Sequence, residues 1–174
     1  MRRDAFTMLR RSFLALALLA PLSILAAQDA PITVFVVRHA EKGPENPDPS
    51  LTDAGRRRAS ALARTLTDAH ITALFASEFK RTQETLAPLA KATGLTTMVV
   101  SAGKMDELIA QLRALPAGSR AVVASHSNLV HLIVARLSGQ QMSPLTDLDY
   151  DRLAMVTILG EGKGQAVVLR YGEP

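Results

Sequence analysis

The sequence contains no cysteine, and that absence excludes several kinds of chemistry. Without a thiol there is no disulfide framework, no thiolate nucleophile and no zinc site built on cysteine. Aromatic residues are also scarce, at 4% of the chain. We therefore expect no aromatic-rich strand of the kind that binds nucleic acid.

The chain after residue 27 also lacks a strong excess of positive or negative charge. The sequence has 20 basic and 16 acidic side chains, but residues 1–27 hold four of the arginines and only one acid. The remaining residues carry 16 basic and 15 acidic side chains and are nearly neutral. The balance of charge therefore gives no support for a nucleic-acid partner.

The first 27 residues have the pattern of an export signal. Arg10 and Arg11 precede an apolar run over residues 12–20, and Ala26-Ala27 come before a polar stretch. A basic segment, an apolar segment and small residues in this order are typical of a secretory signal peptide. The order Arg-Arg-Ser-Phe-Leu also resembles a twin-arginine signal.

We therefore predict a signal peptide over residues 1–27 and one domain over residues 28–174, in a protein that is periplasmic or secreted. Cleavage is expected after Ala27. An uncleaved membrane anchor is the open alternative, because residues 13–27 are just long enough to reach across a bilayer. In that case the leader would be the only part that contacts the membrane.

Strand-like and helix-like segments alternate along the rest of the chain. The predicted strands cover residues 32–37, 71–76, 96–100, 121–124, 153–159 and 165–170. One predicted helix opens at residues 52–55, and the others cover residues 79–92, 105–115 and 128–137. This alternation predicts an α/β fold, a three-layer α/β/α sandwich with a mostly parallel central sheet.

Charged residues near the first predicted helix permit several interpretations. The apolar positions of this helix recur at helical spacing, so Arg56, Arg57 and Arg58 are predicted to form a solvated face. Two interpretations stay open for Glu41 and Lys42, which come earlier in the chain. They either shape a pocket or pair with each other.

Polar side chains collect where three predicted strands end, which is where open α/β sheets bind ligands. Arg38 and His39 end the first strand, Arg81 follows the second and His126 follows the fourth. Guanidinium groups bind phosphate oxygens in forked pairs, and a neutral imidazole can attack phosphorus. The helix that starts near Asn128 would direct free N–H groups to the same place. The combination predicts phosphoryl transfer.

Three elements in this order resemble the histidine phosphatase superfamily, the family of phosphoglycerate mutases and histidine acid phosphatases. They are Arg38-His39, the motif Ser77-x-x-x-Arg81-Thr82 and His126. The motifs Arg-His-Ala-Glu-Lys and His-Ser-Asn are similar to those of its compact bacterial branch. The resemblance implies that His39 accepts the phosphoryl group, that Arg38 and Arg81 bind it, and that His126 donates to its oxygens.

The resemblance leaves the general acid open. In many members of the family a glutamate follows the third strand, roughly where Asp106 and Glu107 stand, so these two are the candidates that the resemblance implies. Glu41 is a third, more remote candidate. Asp106 also lies near a helix start, where a carboxylate commonly acts as a cap or dipole partner. Compact members without an obvious acid favour substrates whose leaving group needs little help.

The leading hypothesis is an exported, metal-independent phosphomonoester hydrolase that works through a phosphohistidine on His39. No cofactor is expected, and no metal, because His39 and His126 have no evident third ligand. A non-catalytic module that binds phosphorylated ligands through Arg38 and Arg81, and a phosphomutase, are the alternatives. Short loops predict an open site, which suits a bulky phosphorylated partner such as an envelope glycolipid or a phosphoprotein. A small phosphorylated molecule such as a sugar phosphate is the open alternative. We expect a monomer.

Overall fold

A computed structural model of the chain describes residues 30–44, 47–160 and 163–173. The predicted signal peptide, with its twin-arginine pattern and its cleavage point, lies outside the described residues. Within the described ranges, no helix is both long enough and apolar enough to cross a membrane.

Strands and helices alternate through the described chain as the sequence predicts. The strands are β1 (Ile32–Arg38), β2 (Ala73–Ala76), β3 (Thr97–Val99), β4 (Arg120–Ser125), β5 (Arg152–Gly160) and β6 (Lys163–Arg170). The helices are α1 (Asp53–Thr65), α2 (Lys80–Thr93), α3 (Met105–Arg113) and α4 (Ser127–Ser138). The predicted elements are present, and their ends agree with the prediction to within two residues.

The strands form one sheet in the order β3-β2-β4-β1-β5-β6. The first four strands in this order run parallel to one another, while β5 is antiparallel to β1 and β6 is antiparallel to β5. The predicted three-layer fold with a mostly parallel central sheet is therefore confirmed. The antiparallel pair forms one side of the sheet, and β3 forms the opposite edge.

Each face of the sheet is covered by two helices because successive strand residues point to opposite sides. Val34 and Val36 of β1 pack in one apolar cluster with residues of α3 and α4, among them Ile109, Leu112, Val130 and Ile133. Phe35 and Val37 pack in a second cluster with residues of α1 and α2, among them Leu62, Leu86 and Leu89. Both faces of β1 are thus buried, which explains its continuous β-branched and aromatic run.

One residue of α1 corrects the sequence prediction. Arg58 is only 8% exposed, although Arg56 and Arg57 are exposed as predicted. Its Nε and Nη2 atoms both lie 2.8 Å from Glu41 Oε1, and its Nη1 donates to the carbonyl oxygens of Tyr171 and Glu173. The prediction of a solvated face is wrong at Arg58, because the chain after β6 returns to α1 and supplies these buried acceptors.

Candidate active site

The predicted site residues meet at the carboxyl ends of three neighbouring strands. The strand register places Arg38 opposite Ser125, and the backbone N–H of His39 donates to the Ser125 carbonyl at 2.8 Å. Arg38, His39, Arg81 and His126 all line one open pocket of about 500 Å³. The structure therefore brings together the four residues that the sequence singled out for phosphoryl transfer.

His39 is held as a neutral imidazole with one free ring nitrogen. Its Nδ1 lies 2.8 Å from the Ala40 carbonyl oxygen, which can only accept, so Nδ1 carries the proton. Burial lowers the pKa of His39 to about 3, and the positive charge of Arg38 acts in the same direction. The Thr85 hydroxyl accepts from the Ala40 N–H at 2.9 Å and holds this segment in place. Nε2 of His39 is therefore unprotonated and available as a nucleophile.

His126 stands beside His39, with 5.5 Å between the two ring centroids. It occupies the N-cap position of α4, yet its side chain makes no capping hydrogen bond. Its Nε2 instead lies 2.9 Å from the Ser77 hydroxyl. Burial lowers the pKa of His126 to about 4, and the charge of Arg81 adds to the effect. Nδ1 is left as the ring nitrogen that a ligand can meet.

A chain of buried hydroxyls supports His126. Ser77 Oγ lies 2.9 Å from Thr82 Oγ1, and Thr82 Oγ1 lies 2.8 Å from the Phe79 carbonyl oxygen. The two hydroxyl protons can turn either way, so Ser77 can donate to His126 Nε2 or accept from it. His126 can therefore present an Nδ1–H group to a ligand in both its neutral and its protonated form.

Arg38 is fixed by the loop between α4 and β5. Its Nη1 donates to the Thr146 carbonyl at 2.9 Å, and its Nη2 donates to the Tyr150 hydroxyl at 3.2 Å. The guanidinium carbon also lies 3.9 Å from the centroid of the Tyr150 ring. Its Nε is buried and has no hydrogen-bond partner among the described residues. The guanidinium group of Arg38 thus lines the pocket in a fixed position and has one N–H without a protein acceptor.

Arg81, in the first turn of α2, supplies the second guanidinium group. Its Nη1 lies 3.6 Å from Asp48 Oδ1, and its guanidinium carbon lies 4.3 Å from the Phe79 ring centroid. Glu78 and Glu84, its acidic neighbours in the chain, accept the backbone N–H groups of Ala102 and Leu51. Its buried Nε, like that of Arg38, has no partner within the described residues.

The candidate acids lie away from this pocket. Asp106 Oδ1 accepts from Arg136 of α4 at 2.6 Å, Glu107 pairs with Lys104 at 3.2 Å, and Glu41 is held by Arg58. Ala102 and Gly103, which follow β3, do line the pocket, but Asp106 and Glu107 lie further on, in the first turn of α3, and pair there with Arg136 and Lys104. Lys42, in contrast, lines the pocket, while the carboxylate of Glu41 pairs with Arg58.

Sequence reasoning missed the loop between α4 and β5. Thr146 and Tyr150 hold Arg38, and Asp147 lines the pocket with its Oδ1 3.9 Å from Arg38 Nη2. A cluster of polar residues just before a strand was the only local signal, and it resembles an ordinary loop. Sequence alone does not indicate that this loop folds over the end of β1.

The charges around the pocket favour an anion. Arg38, Lys42 and Arg81 line it together with Ser127 and Asn128, the first two residues of α4. The first N–H groups of a helix have no acceptor within it and favour an anion. Asp147 is the one carboxylate among the described residues that line it. In the described ranges, no group of three or more histidine or acidic side chains is arranged to hold a metal ion.

The chain is similar to known phosphatases in sequence and in fold. The family model of the histidine phosphatase superfamily (branch 1) matches residues 34–108. A solved structure of the protein histidine phosphatase SixA with tungstate is 25% identical, with a TM-score of 0.69 over 79% of this chain and 96% of that chain. No curated protein matches the sequence.

Two further structures share the fold. A putative phosphohistidine phosphatase SixA from Nakamurella multipartitia is 23% identical, with a TM-score of 0.57 over 83% of this chain and 97% of that chain. A mycobacterial glucosyl-3-phosphoglycerate phosphatase is 14% identical, with a TM-score of 0.64 over 80% of this chain and 99% of that chain. Together, the family match over residues 34–108 and the shared fold confirm the predicted resemblance to the histidine phosphatase superfamily.

Proposed function

We propose that this protein is a metal-independent phosphoric monoester hydrolase that forms a phosphohistidine on Nε2 of His39. The observation that carries the proposal is the hydrogen bond from His39 Nδ1 to the Ala40 carbonyl, which leaves Nε2 free to attack. The two arginines that line the same pocket each have a buried Nε–H without a protein partner among the described residues. A phosphoryl group is the ligand that two guanidinium groups in one pocket suit.

The proposed reaction has two displacements. In the first, His39 Nε2 attacks phosphorus, and the bond to the leaving oxygen breaks. In the second, water attacks the phosphohistidine, inorganic phosphate leaves and the neutral imidazole returns. Arg38, Arg81 and His126 stabilise the charge on the three equatorial oxygens of each transition state.

The substrate is proposed to be a phosphorylated sugar derivative or a phosphoprotein, taken from outside the cytoplasm. Open access to the pocket supports a bulky partner, and the similar structures include both a protein histidine phosphatase and a sugar-derivative phosphatase. Export is proposed from the leader alone, with its arginine pair and apolar run. With an exported site, an envelope glycolipid is the sugar-containing substrate that we favour.

Phosphate release from para-nitrophenyl phosphate in the presence of a chelator tests the proposal. We expect release by the parent and loss of at least about 10³-fold in His39→Ala, as for the removal of a nucleophile. A matched control is His70→Asn, because His70 is exposed, has a φ of 49° and lies outside the pocket, and asparagine adopts such a φ readily. The control is expected to keep the parent activity.

A second readout identifies the intermediate. Rapid quenching of the parent with radiolabelled substrate is expected to trap a phosphoenzyme that survives alkali and is lost in acid, and His39→Ala is expected to trap none. If the parent binds phosphate, seen as a higher melting temperature, but releases none from any ester, the protein is a binding module. Near-parent activity in His39→Ala would refute the mechanism.

A further inference from the structure

A carboxylate that the sequence did not indicate stands at the mouth of the phosphate pocket. Asp147 lines this pocket, and its Oδ1 lies 3.9 Å from Nη2 of Arg38. Its side chain is 99% exposed, whereas that of Arg38 is 5% exposed. Asp147 therefore faces the solvent side of the pocket, where the leaving group of a substrate and the attacking water must pass.

The residues on both sides of Asp147 are fixed. Before it, the Thr146 carbonyl accepts from Arg38, and the Thr146 N–H and hydroxyl donate to Asp149 Oδ2 at 2.8 and 2.6 Å. After it, Asp149 Oδ1 accepts from Arg152 at 3.1 Å, and the Tyr150 hydroxyl accepts from Arg38. Asp147 is thus part of a turn that is held by hydrogen bonds to Arg38, at the carboxyl end of β1.

The proposed reaction needs a group with this chemistry. The leaving oxygen must gain a proton in the first displacement, and the attacking water must lose one in the second. His39 is the nucleophile, and burial keeps His126 neutral, with a pKa of about 4. The other candidate acids are occupied outside the pocket, by Arg136 for Asp106 and by Lys104 for Glu107.

We propose that Asp147 is the proton-transferring carboxylate of this site, an inference that rests on the proposed phosphohistidine mechanism. As the bond between His39 Nε2 and phosphorus forms and the ester P–O bond breaks, the carboxyl of Asp147 gives its proton to the leaving oxygen, and an alcohol departs. The resulting carboxylate then takes a proton from the water that attacks the phosphohistidine. Phosphate leaves, and the carboxyl is ready for the next cycle.

The same carboxylate is placed to serve both displacements. A phosphate bound by Arg38 lies close to Asp147, because Asp147 Oδ1 is 3.9 Å from Arg38 Nη2. After the alcohol has left, the same carboxylate is unprotonated and faces the phosphohistidine. One residue can therefore act as the acid in the first displacement and as the base in the second.

The test compares two substrates that differ in their need for an acid. Para-nitrophenol leaves easily, whereas an alkyl alcohol, as in glycerol phosphate, needs a proton. In the purified full chain, Asp147→Asn is expected to lower turnover of the alkyl ester about 10²–10⁴-fold. With para-nitrophenyl phosphate, the variant is expected to release a rapid burst of one equivalent and then turn over slowly, because only the second displacement still needs the carboxylate.

Two controls separate proton transfer from support of Arg38. Asp68→Asn changes an exposed carboxylate outside the pocket and is expected to keep parent rates on both substrates. Added formate is expected to restore part of the second displacement in Asp147→Ala, since a small carboxylate can enter the space left by the side chain. Rescue of this kind would not occur if Asp147 only positioned the loop.

The outcomes also distinguish this proposal from the proposed function. If the parent forms a phosphohistidine while Asp147→Asn shows no burst and parent rates on both esters, the inference is overturned and the mechanism stands. An equal loss of the first displacement on both esters, with no rescue by formate, also overturns it and indicates a positioning role. A parent enzyme that forms no phosphoenzyme on His39 overturns both.

Discussion

Two neutral histidines buried at one site are expected to make the folded protein sensitive to mild acid. His39 and His126 are 4% and 8% exposed, and burial lowers their pKa values from 6.5 to about 3 and about 4. In the unfolded chain both residues return to the ordinary value. Between pH 6.5 and these lowered values, the unfolded chain therefore binds more protons than the folded one. The free energy of unfolding therefore increases as the pH rises across this window. It decreases as the pH falls from 6.5 towards the lowered pKa values.

The size of the effect follows from the pKa differences. At pH 4.5 an unfolded histidine is almost fully protonated, whereas folded His39 and most folded His126 remain neutral. Each residue then lowers the free energy of unfolding by about 2–3 kcal/mol relative to pH 7, and the pair by about 5 kcal/mol. Because a domain of this kind is stable by only about 5–15 kcal/mol, the loss is a large share of the total.

Urea unfolding at pH 7 and at pH 4.5 measures the loss. The comparison is between the parent and the double variant His39→Gln/His126→Gln, which has no titrating group at either position. Acidic side chains titrate in both proteins, so their contribution cancels in the difference. We expect the parent to lose about 5 kcal/mol more than the double variant. If the two proteins lose the same free energy of unfolding, and its slope against urea concentration is the same in both, the view that these histidines are buried in the neutral form is refuted.

Two further predictions concern residues that support the nucleophile and His126. A Cβ atom at Gly55 would lie 2.2 Å from the Glu41 carbonyl oxygen, so Gly55→Ala is expected to lower the free energy of unfolding in urea by about 1–3 kcal/mol. Gly160→Ala, which meets nothing within 4 Å, is the control, and an equal effect of the two would contradict the close approach. Ser77→Ala removes the partner of His126 Nε2, so we expect kcat to fall about tenfold and the imidazole ¹⁵N shifts of His126 to change, while Ser77→Thr, which keeps the hydroxyl, recovers both. Unchanged shifts in Ser77→Ala would exclude control of the ring by this hydroxyl.

Local pattern was sufficient for the order of elements and for the four residues at the centre of the site. The buried runs of β1 and β4 have the apolar composition that a parallel strand covered on both faces requires, and α4 ends at Gly139, which adopts a φ of 75°. Strands that run parallel bring their carboxyl ends to one edge. Arg38, His39, Arg81 and His126 therefore meet because of features that each segment carries by itself.

Contacts between distant parts of the chain decided the remaining features of the site. Thr146 and Tyr150 hold Arg38 across 108 and 112 residues, and no local pattern in the loop indicates that it folds over β1. Arg58 resembles its exposed neighbours in sequence but is buried, because the end of the chain supplies acceptors 113 and 115 residues away.

The location of the acidic residues depends on the same kind of information. The position of Asp106 and Glu107 after the third strand suggested a role at the pocket, but both carboxylates lie on α3 and pair with Arg136 and Lys104 outside it. Asp147, in a loop without a recognisable motif, lies at the pocket instead. The sequence by itself determined which segments fold and which residues end the strands. Only the tertiary structure decided which side chains surround them, because hydrogen bonds and ion pairs depend on distance in space and not on spacing along the chain.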